Sequence, residues 1–300
     1  MLSGTALPTL PWRCETEEHR AALERLFRRI AQANALPKIG MRVIELAESE
    51  STRVEQLQRA IASDSALVTR MLRRVNSAYY GLRRKIYDVA TAVRILGFRE
   101  VRNLALTVYT SRLFSDTCEF GRYSRRNLWA HSVSVAALSR MVSSICKRAE
   151  PHDAYAAGLL HDVGYILLDR NLHRHFCRLL ESLSPGEEAT EIEREIFSFD
   201  HTELGSFVAA DWSFSQQVVD AILFHHRPHE YDGPHCETVF AVALANCLCS
   251  RNGRKSLGEN HIPNPTDEIY QGLDVDEADL QIIWDELDPT MAKAEEMARG

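Results

Sequence analysis

Apolar residues recur at three- and four-residue steps along most of this chain, the spacing of one buried helix face, and no segment alternates as a strand would. The pattern predicts a helix over residues 17–34 and a second from Pro37, with Ile39, Val43, Ile44 and Leu46 inward. Thr52 and Glu55 have capping-box spacing before a helix that uses Val54, Leu57 and Ile61. Ser63 or Asp64 caps the next, whose face is Leu67, Val68, Met71, Leu72 and Val75. Gly97 separates helices at 88–96 and 98–114. A long helix spans 124–148, and Pro151 opens another that reaches about residue 171. Shorter helices follow at 172–183, 187–198, 200–212, 215–226 and 236–252. A polar loop over 253–266 leads to a last helix near 276–298, and residues 1–16 read as a loose leader. The expected fold class is therefore all-α, one multi-helical domain over 17–252 in two sections, 17–123 and 124–252, with a C-terminal extension over 253–300.

Several of these apolar faces are interrupted by ionisable groups. His131 falls between Leu128 and Val135 on the long helix, at a core position. His161 and Asp162 sit side by side inside GLLHDVG (158–164) and project about a hundred degrees apart on a helix. They can still converge on an ion placed over the edge between them. In FDHTELG (199–205), Asp200 and Glu203 have the spacing of an N-terminal cap, which puts His201 in the first turn, inward with Leu204 and Val208. His225 and His226 end the stripe of Val218, Val219, Ile222 and Leu223, and Asn246 interrupts Val239, Val242 and Ala243. A lone inward histidine is usually a core residue satisfied by hydrogen bonds, and a last-turn histidine is favoured by the helix dipole. Five of them with one aspartate, on successive segments, instead suggest a shared site. Imidazole and carboxylate donors of this kind suit iron, manganese or zinc.

Charge is uneven. Residues 265–300 carry eleven acids and two bases, a net of -9 against -7 for the whole chain, so the remainder is close to neutral. The last helix is thus acidic, and no global charge points to nucleic acid. One local run does: residues 70–85 hold Arg70, Arg73, Arg74, Arg83, Arg84 and Lys85 around two tyrosines with no acid. A solvated face, or pairing with acids elsewhere, is the plainer reading of such a run. Seven cysteines at irregular spacing argue against a disulfide framework or zinc finger and for a reducing cytoplasm. The first residues lack a signal-peptide pattern, and the most apolar stretch (239–249) is too short to span a bilayer, so no membrane association is expected.

The order His131, His161-Asp162 resembles the HD superfamily of metal-dependent phosphohydrolases. His201 and the pair His225-His226 resemble the added histidines of its bimetallic HD-GYP branch. The fuller resemblance is to the HDOD family, the HD-related output domain, over residues 25–252. LPKIGMRVIELAES (36–49), IASDSALVTRMLRRVNSAYYGL (61–82) and VATAVRILGFREVRNLAL (89–106) look like that family's front section, and HTELGSFVAADW looks like its H-x-E-x-G helix. The resemblance implies an HD-like helical fold and one or two divalent transition-metal ions, iron or manganese before zinc, held by His131, His161, Asp162, His201, His225 and His226. The closing aspartate of the catalytic families is matched by Asn246, a weak neutral ligand, and no GYP follows the HH pair. In active relatives the metals lower the pKa of a bound water and neutralise phosphate charge. Asp162 would be the bridging acid and the residue on which catalysis depends.

Three functions follow. The first is a regulatory signal-transduction module with a preserved metal site, a signalling protein partner and a nucleotide as candidate ligand. The second is a metal-dependent phosphohydrolase acting on a nucleotide or cyclic dinucleotide. The third is a helical scaffold without metal. Asn246 favours the first over the second. Retention of six buried polar residues, each costly to desolvate, argues against the third.

Overall fold

Helices form where the apolar periodicity places them, and their caps set the boundaries. The computed structural model describes residues 16–184, 186–257 and 265–299. The leader expected over 1–16 lies outside them up to residue 15, as do residues 258–264 of the expected polar loop. In chain order the helices are α1 (Glu17–Ala33), α2 (Lys38–Glu48), α3 (Val54–Ala62), α4 (Ser65–Val75), α5 (Val89–Leu96) and α6 (Phe98–Ser111). They continue with α7 (Arg125–Cys146), α8 (Pro151–Leu160), α9 (Val163–Asn171), α10 (His173–Ser182), α11 (Ala189–Phe197) and α12 (His201–Asp211). Last come α13 (Gln216–Phe224), α14 (Cys236–Arg251), α15 (Asp267–Leu273) and α16 (Glu277–Arg299). The all-α expectation holds. A two-residue antiparallel pair, β1 (Glu119–Phe120) and β2 (Tyr123–Ser124), is too short to announce itself by alternation.

The chain divides into two compact units, residues 36–115 and the remainder. Within 36–115, α2 packs on α6, and α3, α4 and α5 pack on one another. Asp64 is the cap of α4, accepting from the backbone N–H of Ala66 (2.9 Å) and Leu67 (3.1 Å). The cap of α3 differs from expectation: Arg53, not Thr52, is the N-cap, and its N–H donates to Gln56 Oε1 at 2.8 Å. Ile39, expected inward, is 36% exposed, because α2 turns the backbone of Gly40 toward the Tyr109 ring. Of the basic run, Arg74 pairs with Glu100 at 2.8 Å and lies over the rings of Tyr79 and Tyr80, while Arg83, Arg84 and Lys85 are exposed.

The other unit is built on α7, against which α8, α14 and α16 pack. The acidic α16 is not a solvated arm. It buries Ile283, Leu287, Met291 and Ala294 in helical register, and Trp129 Nε1 donates to the carbonyl of Ala298 at 3.2 Å. α1 packs on α12, with Phe27 edge-on to Phe199 and Phe207 at 4.7 and 5.5 Å. Asp169 of α9 ties down the start of α7: its carboxylate accepts from Arg125 Nε (2.6 Å), Tyr123 OH (2.8 Å) and His173 Nδ1 (2.7 Å). Among the described residues, no helix is long and apolar enough to cross a membrane.

Candidate metal centre

The helix expected over 151–171 is in fact two, α8 and α9, broken at His161 and Asp162. The break has a packing cause in the two flanking glycines. A Cβ on Gly158 would meet Ser139 Oγ at 2.6 Å, so α8 can lie directly on α7 only with glycine there. A Cβ on Gly164 would stand 2.0 Å from the carbonyl oxygen of His201, so the start of α9 touches the start of α12. The two contacts hold His161 and Asp162 between α7 on one side and α12 on the other.

Asp200 caps α12 as the spacing predicts. It accepts from the N–H of Thr202 (2.9 Å) and Glu203 (3.0 Å), and Glu203 accepts from the N–H of Asp200 (2.9 Å). Asp200 is itself paired with Arg194. This seats His201 in the first turn, fully buried, with its ring stacked on Tyr165 at 3.9 Å. His225 ends α13, and His226 follows it, half-buried.

The hydrogen bonds determine which nitrogen of each ring is free. His131 Nδ1 donates to the carbonyl of Arg254 (2.7 Å) and His161 Nδ1 to that of Gly158 (2.7 Å). His225 Nδ1 donates to the carbonyl of Ile222 (2.9 Å) and His201 Nδ1 to Glu193 Oε2 (2.8 Å). A carbonyl or carboxylate oxygen only accepts, so every Nδ1 carries a hydrogen and every Nε2 faces inward, with its lone pair free wherever the ring is neutral. All four Nε2 atoms face Asp162. Oδ2 lies 3.4 Å from His131 Nε2 and 3.2 Å from His161 Nε2. Oδ1 lies 3.3 Å from His201 Nε2 and 3.4 Å from His225 Nε2. His131 Nε2 and His161 Nε2 stand 3.2 Å apart.

Lone pairs converging on lone pairs repel unless protons or a metal cation lie among them. Asp162 Oδ1, His201 Nε2 and His225 Nε2 are buried with no hydrogen-bond partner. Such groups cost about 1–3 kcal/mol each if left so. Ligands bound to one ion at about 2.0–2.2 Å lie about 3.0–3.4 Å apart at neighbouring positions, which matches the observed spacings. Two groups therefore have metal-binding geometry and share Asp162: one with His131 and His161, the other with His201, His225 and His226. Each Nδ1–H anchored on an oxygen is the usual support behind a metal-ligating histidine. The donors fit a divalent ion of the imidazole- and carboxylate-binding kind.

Electrostatics agree with crowded nitrogens around one acid. Burial pushes His161 down to about 4 and His226 well below its ordinary value, so both stay neutral and able to ligate. Burial works against the charge of Asp162 as well, but His161, His131 and His201 hold its carboxyl well below the usual range. Against the pull of burial, Cys249 and Asp162 carry His131 up to about 10, and Glu193 and Asp162 carry His201 to about 10.

Asn246 is half-buried on α14, and its Oδ1 accepts from Ser250 Oγ at 3.4 Å. Three residues on, Cys249 Sγ lies 3.6 Å from His131 Nδ1. Two supporting residues escaped the sequence reading. Glu193 is fully buried and accepts from both the N–H (2.6 Å) and Nδ1 of His201. It sits four residues from Ala189 and four from Phe197, an acid on an apolar face, the same signal that singled out the histidines. The carbonyl of Arg254 left no such signal, because a backbone acceptor has no residue-type signature. A third group with ligand-like spacing, Cys118, Asp169 and His173, is occupied by the Arg125 guanidinium and needs no ion.

The sequence model of the HDOD domain matches residues 34–228, about two thirds of the chain. A protein of Treponema pallidum (strain Nichols), described as uncharacterized, is 28% identical over 221 residues, 70% of this chain and 41% of its own length. The chain thus spans about two fifths of that relative. Three solved structures share the fold. An HDOD domain protein of unknown function from Geobacter sulfurreducens has a TM-score of 0.71 and 23% identity, covering 92% of this chain and 98% of its own. A candidate phosphohydrolase from Shewanella amazonensis SB2B has a TM-score of 0.73 and 20% identity, covering 91% and 97%. A candidate signal transduction protein from Marinobacter aquaeolei VT8 has a TM-score of 0.73 and 24% identity, covering 94% and 66%.

Proposed function

The chain belongs to the HDOD family, and from that premise we propose that it is a cytoplasmic regulatory component of signal transduction. Its buried histidine–aspartate centre binds divalent transition metal for structural or sensory ends and hydrolyses phosphoesters slowly or not at all. The observation that carries this reading is the enclosure of the ligands. His131, His161, Asp162, His201 and His225 are each between 0 and 3% exposed. A catalytic metal keeps a coordination position open to water and substrate, whereas a structural one is closed. The half-buried His226 is the most open member of the set. Asn246, where the catalytic families have their closing aspartate, points the same way. The candidate signal transduction protein from Marinobacter aquaeolei supports the regulatory half of the reading.

The ligand set contains imidazoles and a carboxylate, which suits iron, manganese or zinc, and the family resemblance puts iron or manganese before zinc. The output is contact with a signalling protein, and a nucleotide is the small ligand to test first.

A second reading has its own observation. Asp162 presents one oxygen to each histidine group, the arrangement a two-metal hydrolase needs, and a relative from Shewanella amazonensis is a candidate metal-dependent phosphohydrolase. When bound, such ions supply positive charge and Lewis acidity toward phosphate oxygens. In that case His131, His161, Asp162, His201, His225 and His226 would hold the ions.

Elemental analysis of purified protein, beside an assay on a generic phosphodiester with added Mn2+ and an Asp162→Ala control, separates the readings. Bound metal with turnover no faster than the control is expected. Hydrolysis that disappears in the control transfers the conclusion to the second reading, and absence of metal removes both.

A further inference from the structure

The two halves of the centre are built differently. Behind His131 and His161, as behind His225, stand neutral backbone carbonyls, those of Arg254, Gly158 and Ile222, with Cys249 Sγ beside His131 Nδ1. Behind His201 stands the carboxylate of Glu193, fully buried, which grips both the Nδ1–H and the backbone N–H. An anionic acceptor makes the opposite ring nitrogen a stronger donor to a cation and locks the ring's rotation. The stacked Tyr165 ring holds the same imidazole from its face. Donor numbers differ too. The half containing Asp162 Oδ1 has three imidazoles, from His201, His225 and His226, and the half containing Oδ2 has two. Finally, of the centre's own ligand atoms among the described residues, those buried without a hydrogen-bond partner, Asp162 Oδ1, His201 Nε2 and His225 Nε2, belong to the half that Glu193 supports.

Building on the metal-centre reading, we infer that the halves fill unequally: Asp162, His201, His225 and His226 take one divalent cation first and tightly, and His131 and His161 take a second only at much higher concentration. Glu193 is the positioning residue that sets the difference. At low metal concentration the protein therefore carries one ion, and the bridging carboxylate has a second partner only when metal is abundant. An asymmetric centre of this kind reports metal supply, because its second step tracks concentration while its first stays filled.

The test is titration of the metal-free protein with Mn2+, followed by calorimetry and electron paramagnetic resonance. Two steps are expected, at least about tenfold apart in affinity, with the hyperfine pattern of isolated Mn2+ at one equivalent and an exchange-coupled spectrum appearing only in the second step. Glu193→Gln weakens the first step by about 10- to 100-fold and leaves helix content unchanged. His226→Ala, at the half-buried edge, weakens the same step and serves if Glu193→Gln does not fold. His131→Ala leaves the first step intact and removes the second. Uptake of two ions in one step, a coupled spectrum already at one equivalent, or loss of the first step in His131→Ala overturns the inference while leaving the metal centre standing. No uptake of Mn2+, Fe2+ or Zn2+ by the wild type sinks the metal-centre reading itself.

Discussion

Asp162→Asn is the sharpest perturbation of the centre. It keeps size and shape but removes the one anionic ligand common to both histidine groups, whose Nε2 atoms lie 3.2–3.4 Å from its oxygens. Loss of a supporting group behind a ligand typically costs 10- to 100-fold in affinity, so loss of the shared carboxylate itself costs at least about a hundredfold. The consequence for stability follows by linkage. Metal present at about a hundred times the wild-type dissociation constant stabilises the folded protein by about 2.7 kcal/mol. The unit that holds the site has about 220 residues. At that size about 1 kcal/mol shifts Tm by about 2–4 °C, so the wild type gains about 5–11 °C. In the variant the same concentration no more than equals the new constant, which leaves about 0.4 kcal/mol, a shift of about 1–2 °C. The assay is a thermal melt of metal-free protein with and without Mn2+. A variant that retains the wild-type shift refutes the argument that Asp162 is the shared ligand.

Metal affinity should rise with pH. His131 and His201, both carried up to about 10, bear protons at neutral pH that a cation must displace, so the apparent constant improves by about tenfold per pH unit for each proton released. Calorimetry at pH 6, 7 and 8 in buffers of different ionisation enthalpy counts those protons, and a pH-independent constant contradicts the geometry. Gly164→Ala drives a methyl into the His201 carbonyl, and overpacking of this kind costs about 1–3 kcal/mol or more. Urea unfolding should show that loss, and the metal-induced Tm shift should shrink with it. Asp169→Asn breaks a buried pair with Arg125 and should cost about 3–5 kcal/mol at pH 7. Burial opposes the charge of Asp169, but Arg125, Tyr123 and His173 hold its carboxyl below the ordinary value. Its contribution is therefore complete above the unfolded carboxylate value of about 3.9 and is lost as pH falls through the lower folded value. The difference between wild type and variant in urea titrations should narrow at acid pH, and a constant difference contradicts the assignment.

Most helices were legible because helix formation is a local affair of periodicity and caps. Asp200 shows it, a cap readable from the residues that follow it, and the expected choice of Ser63 or Asp64 for α4 falls to Asp64. The break at His161 and Asp162 was not, because the contacts that flank it, Gly158 on α7 and Gly164 on α12, come from helices elsewhere in the chain. Likewise, the faces of α7 and α12 showed that His131 and His201 point inward. Inwardness on one helix is a property of that helix alone.

The amino-acid sequence by itself determined the helical class and the inward set of five histidines and one aspartate, through resemblance and through spacing. Only the packing of α7, α8, α12 and α13 decided that those side chains meet, that Asp162 turns one oxygen to each group, and that Glu193 stands behind one of them. The reason is physical. A hydrogen bond between ring and carbonyl chooses the free nitrogen, and its partner lies as far away as Arg254 is from His131. Such choices depend on distances across the core, which no pattern along the chain records.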